Sequence, residues 1–146
     1  MSKVCLILGA GAGIGLAVAK RFSAEGYHIC LVRRSNQAGL DRAVQELSTN
    51  GQKASGYILD VTLPDQLELL IKKIENEIGE IHTAVYNVGA QIGDRSLDET
   101  SLKVFELGWK LGTLGLFRVA KTLIPYMVNR SSGNLLVTGA TASVRG

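Results

Sequence analysis

Apolar and polar positions along the chain fall into two alternating kinds of segment. Val4–Leu8 reads Val-Cys-Leu-Ile-Leu, continuous, apolar and partly β-branched, as a strand buried on both faces should be. Runs at residues 29–32, 55–59, 83–86 and 133–138 repeat the pattern, the 55–59 run more weakly. Between them apolar residues recur at helical spacing. Ile14, Val18 and Phe22 make one stripe, closed by Gly26. Leu40, Ala43, Val44 and Leu47 make a second, ended by Asn50 and Gly51. Leu67, Leu70, Ile71, Ile74 and Ile78 make a third, with Pro64 suited to its first turn and Gly79 at its end.

The polar stretch 91–100 is expected to be loop. Beyond it Leu102, Phe105, Trp109, Leu116, Ala120, Leu123 and Met127 predict a long helix near 102–128. Gly108, Gly112 and Gly115 interrupt it, each at a cost of roughly 1 kcal/mol against Ala in a helix interior. Such glycines suggest close approach of another backbone. Five strands alternating with four helices predict an α/β fold, a doubly wound parallel sheet with helices on both faces. Right-handed crossovers favour strand order 3-2-1-4-5, with a ligand site at the switch point between strands one and four.

The 146 residues suit one domain. Hydrophobic residues are 46% and charged residues 20%, which excludes a disordered chain. A net charge of +3, scattered along the chain, gives no basis for nucleic-acid binding. Cys5 and Cys30 lie in apolar runs and are expected to be free core residues. His28 and His82 lack metal-ligand spacing, so no metal site is expected. Asn129-Arg130-Ser131 fits the glycosylation pattern by chance. No leader and no membrane-length apolar run are visible, so the expected setting is intracellular, in the cytoplasm.

The segment Gly9-Ala10-Gly11-Ala12-Gly13-Ile14-Gly15 carries the chemistry. It lies between a predicted strand and a predicted helix, the context a phosphate-binding turn requires. Glycine permits positive φ and close approach of backbone to a pyrophosphate, and the helix N-terminus offers N–H groups and a positive dipole end. Gly-x-Gly-x-x-Gly fails at Ile14; Gly9, Gly13 and Gly15 instead give Gly-x-x-x-Gly-x-Gly. The plainer alternative is a turn that only packs a helix on a sheet.

With this spacing the chain resembles the short-chain dehydrogenase/reductase family over essentially its whole length. The match is to the family's N-terminal, cofactor-binding portion, a Rossmann-type fold that ends here after the fifth strand. The resemblance assigns Gly9, Gly13, Ile14 and Gly15 to the dinucleotide. It assigns Asp60 and Val61, at the end of strand three, to the adenine ring. It places Asn87-Val88-Gly89 beside the cofactor, although the preceding family Asn is Tyr86 here. Arg33 and Arg34 end strand two, where an acidic residue would bind a ribose 2′-hydroxyl and favour NAD(H). Paired arginines instead suit a 2′-phosphate, and the expected cofactor is NADP(H). Ala12 departs from this, since NADP-using relatives often have a basic residue in the loop. Asp60 and Asn87 also have plainer readings, as a cap and as a turn residue.

The family's proton transfer uses a Tyr with a Lys four residues on, a Ser, and an Asn on the long helix. None of the four tyrosines has that Lys: Tyr27 is followed by Leu31, Tyr57 by Val61, Tyr86 by Ala90 and Tyr126 by Arg130. The Asn position falls on Gly112 and the Ser position on Ala140, with Thr141 and Ser143 as nearby loop hydroxyls. No catalytic residue is assigned. Three readings follow. The first is an NADP(H)-dependent alcohol or carbonyl oxidoreductase represented by part of its chain. The second is a non-catalytic NADP-binding or interaction module, and the third a partial chain without activity of its own. The substrate would be a small carbonyl or alcohol. A homodimer through the helix near 102–128 is expected, with Phe105 or Trp109 serving there and at least one of them in the core. The fifth strand is expected to be an exposed edge that promotes association.

Overall fold

The computed structural model describes residues 2–49, 51–89, 96–141 and 144–145. Five strands and their connecting helices follow in order: β1 Val4–Leu8, α1 Ile14–Ala24, β2 His28–Arg33, α2 Gln37–Ser48, β3 Ala54–Ile58, α3 Gln66–Glu77 and β4 Ile81–Tyr86. The long helix is α4 Leu102–Trp109, a π turn Lys110–Leu114 and α5 Gly115–Asn129, and β5 Asn134–Val137 closes the series. All pairings are parallel and the strand order is β3-β2-β1-β4-β5, as the alternation predicts.

Every residue of β1 is buried, as expected of a central strand covered on both faces. Its alternation divides the core in two. Val4, Leu6 and Leu8 join Cys30, Val32, Leu67, Ile71, Ile74, Val119 and Leu123 beneath α3 and α5. Cys5 and Ile7 join Ile29, Leu31, Leu40, Ala43 and Leu47 beneath α1 and α2. Both cysteines are free and fully buried, and burial pushes each thiol up to about 12. No helix among the described residues is long and apolar enough to cross a membrane.

Three local expectations are corrected. The buried line of α1 is Gly15, Ala19 and Ser23, while Ile14 is 60% exposed and Val18 and Phe22 only flank the core. Small residues bring the helix axis close to the sheet and turn the larger ones outward. Pro64 precedes the N-cap Asp65 and so lies before the first turn of α3 rather than in it. The long helix buries Gly115, Val119, Leu123 and Met127, all from α5, which packs on α3 and β4. α4 has no buried residue; Phe105 is 65% and Trp109 48% exposed, so neither is in the core. The periodicity of α4 is genuine, but its apolar side meets solvent among the described residues. β5 is one edge of the sheet, with Leu136 and Val137 about half exposed.

Candidate functional site

The carboxyl ends of β1, β2, β3 and β4 border a cleft of about 440 Å³. It is lined by Gly9, Ala10 and Gly11 from the glycine turn, Arg33 and Arg34 at the end of β2, and Asp60 and Val61 after β3. Asn87 and Gly89 after β4, and Leu111 of the π turn, complete the wall named here. Tertiary structure thus brings together residues that the sequence scatters from Gly9 to Leu111, because a parallel sheet gathers all its carboxyl ends on one side.

The glycines of the turn divide into two kinds. Gly9 has φ +82°, and its N–H and that of Ala10 both donate to Val32 O, at 3.1 and 3.0 Å, which fastens the turn to β2. A Cβ on Gly15 would lie 2.8 Å from both Ala10 Cα and Gly9 O, so Gly15 seats α1 directly on the turn. Those two serve packing, in part the plainer reading. Added Cβ atoms at Gly11 and Gly13 would meet nothing within 4 Å, so packing does not require glycine there. Gly13 is the N-cap of α1; no side chain caps that terminus and its first turn has no carboxylate. The bared backbone and uncompensated dipole end suit an anion. Ile14 lines a second pocket, described below.

The β2 end of the cleft is cationic. Among the described residues no carboxylate lies within 4 Å of the Arg33 or Arg34 guanidinium. Arg33 also borders a smaller pocket shared with Asn36, Arg42 and Glu46 of the α2 region. Asp60 Oδ1 accepts hydrogen bonds from Thr62 N at 2.8 Å and Thr62 Oγ1 at 2.7 Å. Asp60 therefore caps its own turn while facing the cleft. The same loop is held from above by Arg118 of α5, whose Nη1 donates to Leu63 O at 2.7 Å and to Val61 O at 3.4 Å.

Asn87 Nδ2 donates to Gly9 O at 3.0 Å, and its backbone N–H donates to Leu8 O at 2.8 Å. Its turn role is therefore visible, at the seam between β1 and β4. The second pocket lies beside it, about 570 Å³, walled by Ile14, Asn87, Gly89, Gly112, Thr138 and Ala140 among others. Gly112 and Ala140, the positions on which the sequence reading puts the family's Asn and Ser, thus face one space. Thr141 is exposed, and Ser143 lies outside the described residues. Tyr86 is buried, and burial pushes its hydroxyl up to about 12, so it stays a donor; it donates to Leu111 O.

Sequence reasoning missed Arg118, the Tyr86–Leu111 contact and a buried ion pair. Arg130 Nη1 lies 2.9 Å from Glu75 Oε2, Arg130 Nη2 donates to Ile81 O at 2.5 Å, and Ile81 N donates to Glu75 Oε1 at 3.0 Å. Glu75 falls on the α3 stripe formed by Ile71 and Ile74, and a charge on an apolar stripe was the available signal.

The family model for short chain dehydrogenase matches residues 3–146, and the chain belongs to that family. It is 29% identical over 141 residues to 2,3-dihydro-2,3-dihydroxybenzoate dehydrogenase of Bacillus subtilis, covering 97% of this chain and 53% of that protein. The structure of L-sorbose reductase from Gluconobacter frateurii, complexed with NADPH and L-sorbose, matches with TM-score 0.90 at 28% identity, covering 99% of this chain and 54% of that one. An NAD+-bound xylitol dehydrogenase matches with TM-score 0.91 at 29% identity, covering 99% and 55%. The chain spans about half the length of the curated relatives it matches.

Proposed function

We propose that residues 1–146 form a dinucleotide-binding domain that takes NADP(H) in the cleft at the switch point, serving hydride transfer on a small alcohol or carbonyl compound. The observation that carries this reading is the cationic end of the cleft. Arg33 and Arg34, at the end of β2, have no carboxylate within 4 Å of either guanidinium among the described residues, and they line the same cleft as the glycine turn. A 2′-phosphate there gains charge-assisted hydrogen bonds, whereas the acidic residue that binds a 2′-hydroxyl at the end of strand two is replaced by arginine.

The residues present fit such a group. Gly13, Ile14 and Gly15 offer the N-terminal end of α1 to the pyrophosphate, and the bare backbone at Gly11 and Gly13 leaves room for it. Asp60 and Val61 border the adenine end; Thr62 engages Asp60 through Oδ1. Asn87 and Gly89 border both the cleft and the second pocket, which supports a nicotinamide end beside them and a substrate in the second pocket. When bound, the nicotinamide supplies or accepts the hydride.

A second reading is favoured by one observation. The chain contains no Tyr-x-x-x-Lys, and the second pocket presents Gly112 and Ala140 where the family resemblance expects Asn and Ser. On that reading these residues bind NADP(H) and supply no proton-transfer group themselves, an omission that costs about 10²–10⁴-fold in rate. A homodimer through the exposed apolar side of the long helix accompanies either reading.

A thermal melt of the chain with NADP, NADPH, NAD and no ligand tests the proposal. Ligand at 100 times its dissociation constant stabilises the native state by about 2.7 kcal/mol, several degrees for a domain of this size. A shift with NADP forms and not with NAD is expected. No shift with any nucleotide overturns it. Reductase assays on simple ketones and aldehydes then separate the two readings.

A further inference from the structure

The long helix is interrupted at Lys110–Leu114 by one π turn. Gly115 N–H donates to Lys110 O, five residues back. In an uninterrupted α-helix its acceptor would be Leu111 O, four residues back. That carbonyl accepts instead from the hydroxyl of Tyr86, at the end of β4. The hydroxyl reaches it only because residue 115 is glycine. A Cβ there would lie on the Tyr86 oxygen, 3.3 Å from Tyr86 Cζ and 3.2 Å from Val61 Cγ2.

α4 buries no residue, so packing into the core does not hold its rotation about the helix axis. The π turn does. Leu111 within that turn faces the first cleft and Gly112 the second pocket. We infer that Tyr86 is a positioning residue: its hydroxyl displaces the Gly115 N–H from Leu111 O, holds the π turn open, and so sets the part of the helix that walls both pockets.

Removing the hydroxyl frees Leu111 O for the Gly115 N–H. The turn then closes to α geometry with one residue fewer, and residues 102–110 rotate by about 100° relative to α5. Trp109, the single tryptophan, adjoins the π turn and reports that rotation. The effect on nucleotide rests on the NADP(H) reading of the first cleft; the effect on Trp109 does not.

The test is a cycle of Tyr86→Phe, Gly115→Ala and the double variant in the full chain. Each is read by Trp109 emission and acrylamide quenching, by thermal melt, and by NADPH titration. In Tyr86→Phe, Trp109 emission and quenching change and NADPH affinity falls about tenfold. Gly115→Ala lowers the melting temperature, and the double variant melts higher than Gly115→Ala alone, because the colliding oxygen is gone. If Gly115→Ala abolishes folding, a cooperative melt regained in the double variant is the supporting result and its absence the opposing one. Unchanged Trp109 signals in Tyr86→Phe, or a Gly115→Ala penalty equal in both backgrounds, overturns the inference. If the unaltered chain binds no NADPH, the cofactor reading fails, while the Trp109 and melting data still decide the role of Tyr86.

Discussion

Asn87 holds Gly9 with its side chain and crowds it with its backbone. Its Nδ2 donates to Gly9 O at 3.0 Å, and its carbonyl carbon would sit 2.6 Å from any Cβ placed on Gly9. The turn that faces the cleft is therefore shaped by a residue 78 positions away, at the end of the neighbouring strand. Gly9→Ala meets both that collision and a φ of +82°, and is expected to destabilise the fold by about 3 kcal/mol. Asn87→Ala removes one hydrogen bond and is expected to cost about 1 kcal/mol. Urea unfolding of the two variants against the unaltered chain measures both, and equal penalties would count against this division of roles.

The arginines after β2 are expected to choose the cofactor. Arg33→Ala and Arg34→Ala should each weaken NADPH binding about tenfold and leave NADH binding nearly unchanged, since only the extra phosphate loses a charge-assisted partner. Titrations followed by nicotinamide fluorescence check this. An equal loss for both nucleotides would mean that these side chains support the cleft without reading the phosphate.

Glu75 and Arg130 join α3 to β4 and to the end of α5 inside the core. Their side chains are only 5% and 15% exposed. Arg130→Met leaves the Glu75 carboxylate buried with its ion partner removed, and is expected to cost about 3 kcal/mol. Replacing both, as Glu75→Gln with Arg130→Met, should recover part of that loss. Denaturant midpoints of the single and double variants provide the measurement.

Acidification should destabilise the sheet through His28. Burial, and secondarily Lys53, hold its imidazole below the ordinary value, and Nε2 lies 2.9 Å from Ser55 Oγ across β2 and β3. The unfolded chain therefore takes up the proton first. Stability from this group is fully present above the unfolded value of about 6.5 and is lost as pH falls below it towards the folded value. Melting temperatures between pH 7.5 and 5.5, in the window of about one unit either side of that value, should fall in the unaltered chain and fall less in His28→Gln.

The uncovered side of the long helix is expected to associate. Phe105→Glu alters a residue that is 65% exposed, so it should leave the melting temperature nearly unchanged while shifting sedimentation towards monomer. The same sedimentation in both forms would remove this helix as a contact surface.

Most of the cleft is legible in the sequence. Val4–Leu8, the glycine turn and Arg33–Arg34 are contiguous signals, and the strand–helix alternation itself implies that the carboxyl ends converge. The exposure of Ile14, Phe105 and Trp109 is not legible, for one reason: helical spacing shows which residues share a side of a helix, not whether anything covers that side. The spacing also suggests another backbone against Gly115, whereas its neighbour is the Tyr86 side chain.

The alternating elements, the parallel order β3-β2-β1-β4-β5 and the position of the glycine turn all follow from the order of residues alone, because period, turn chemistry and crossover handedness are local or topological rules. Three features follow only from the folded arrangement: why Gly9 must be glycine, which carboxylate Arg130 meets, and that Tyr86 opens a turn in a helix 25 residues away. Each depends on distances between side chains brought together across the sheet, and those distances have no periodic trace along the chain.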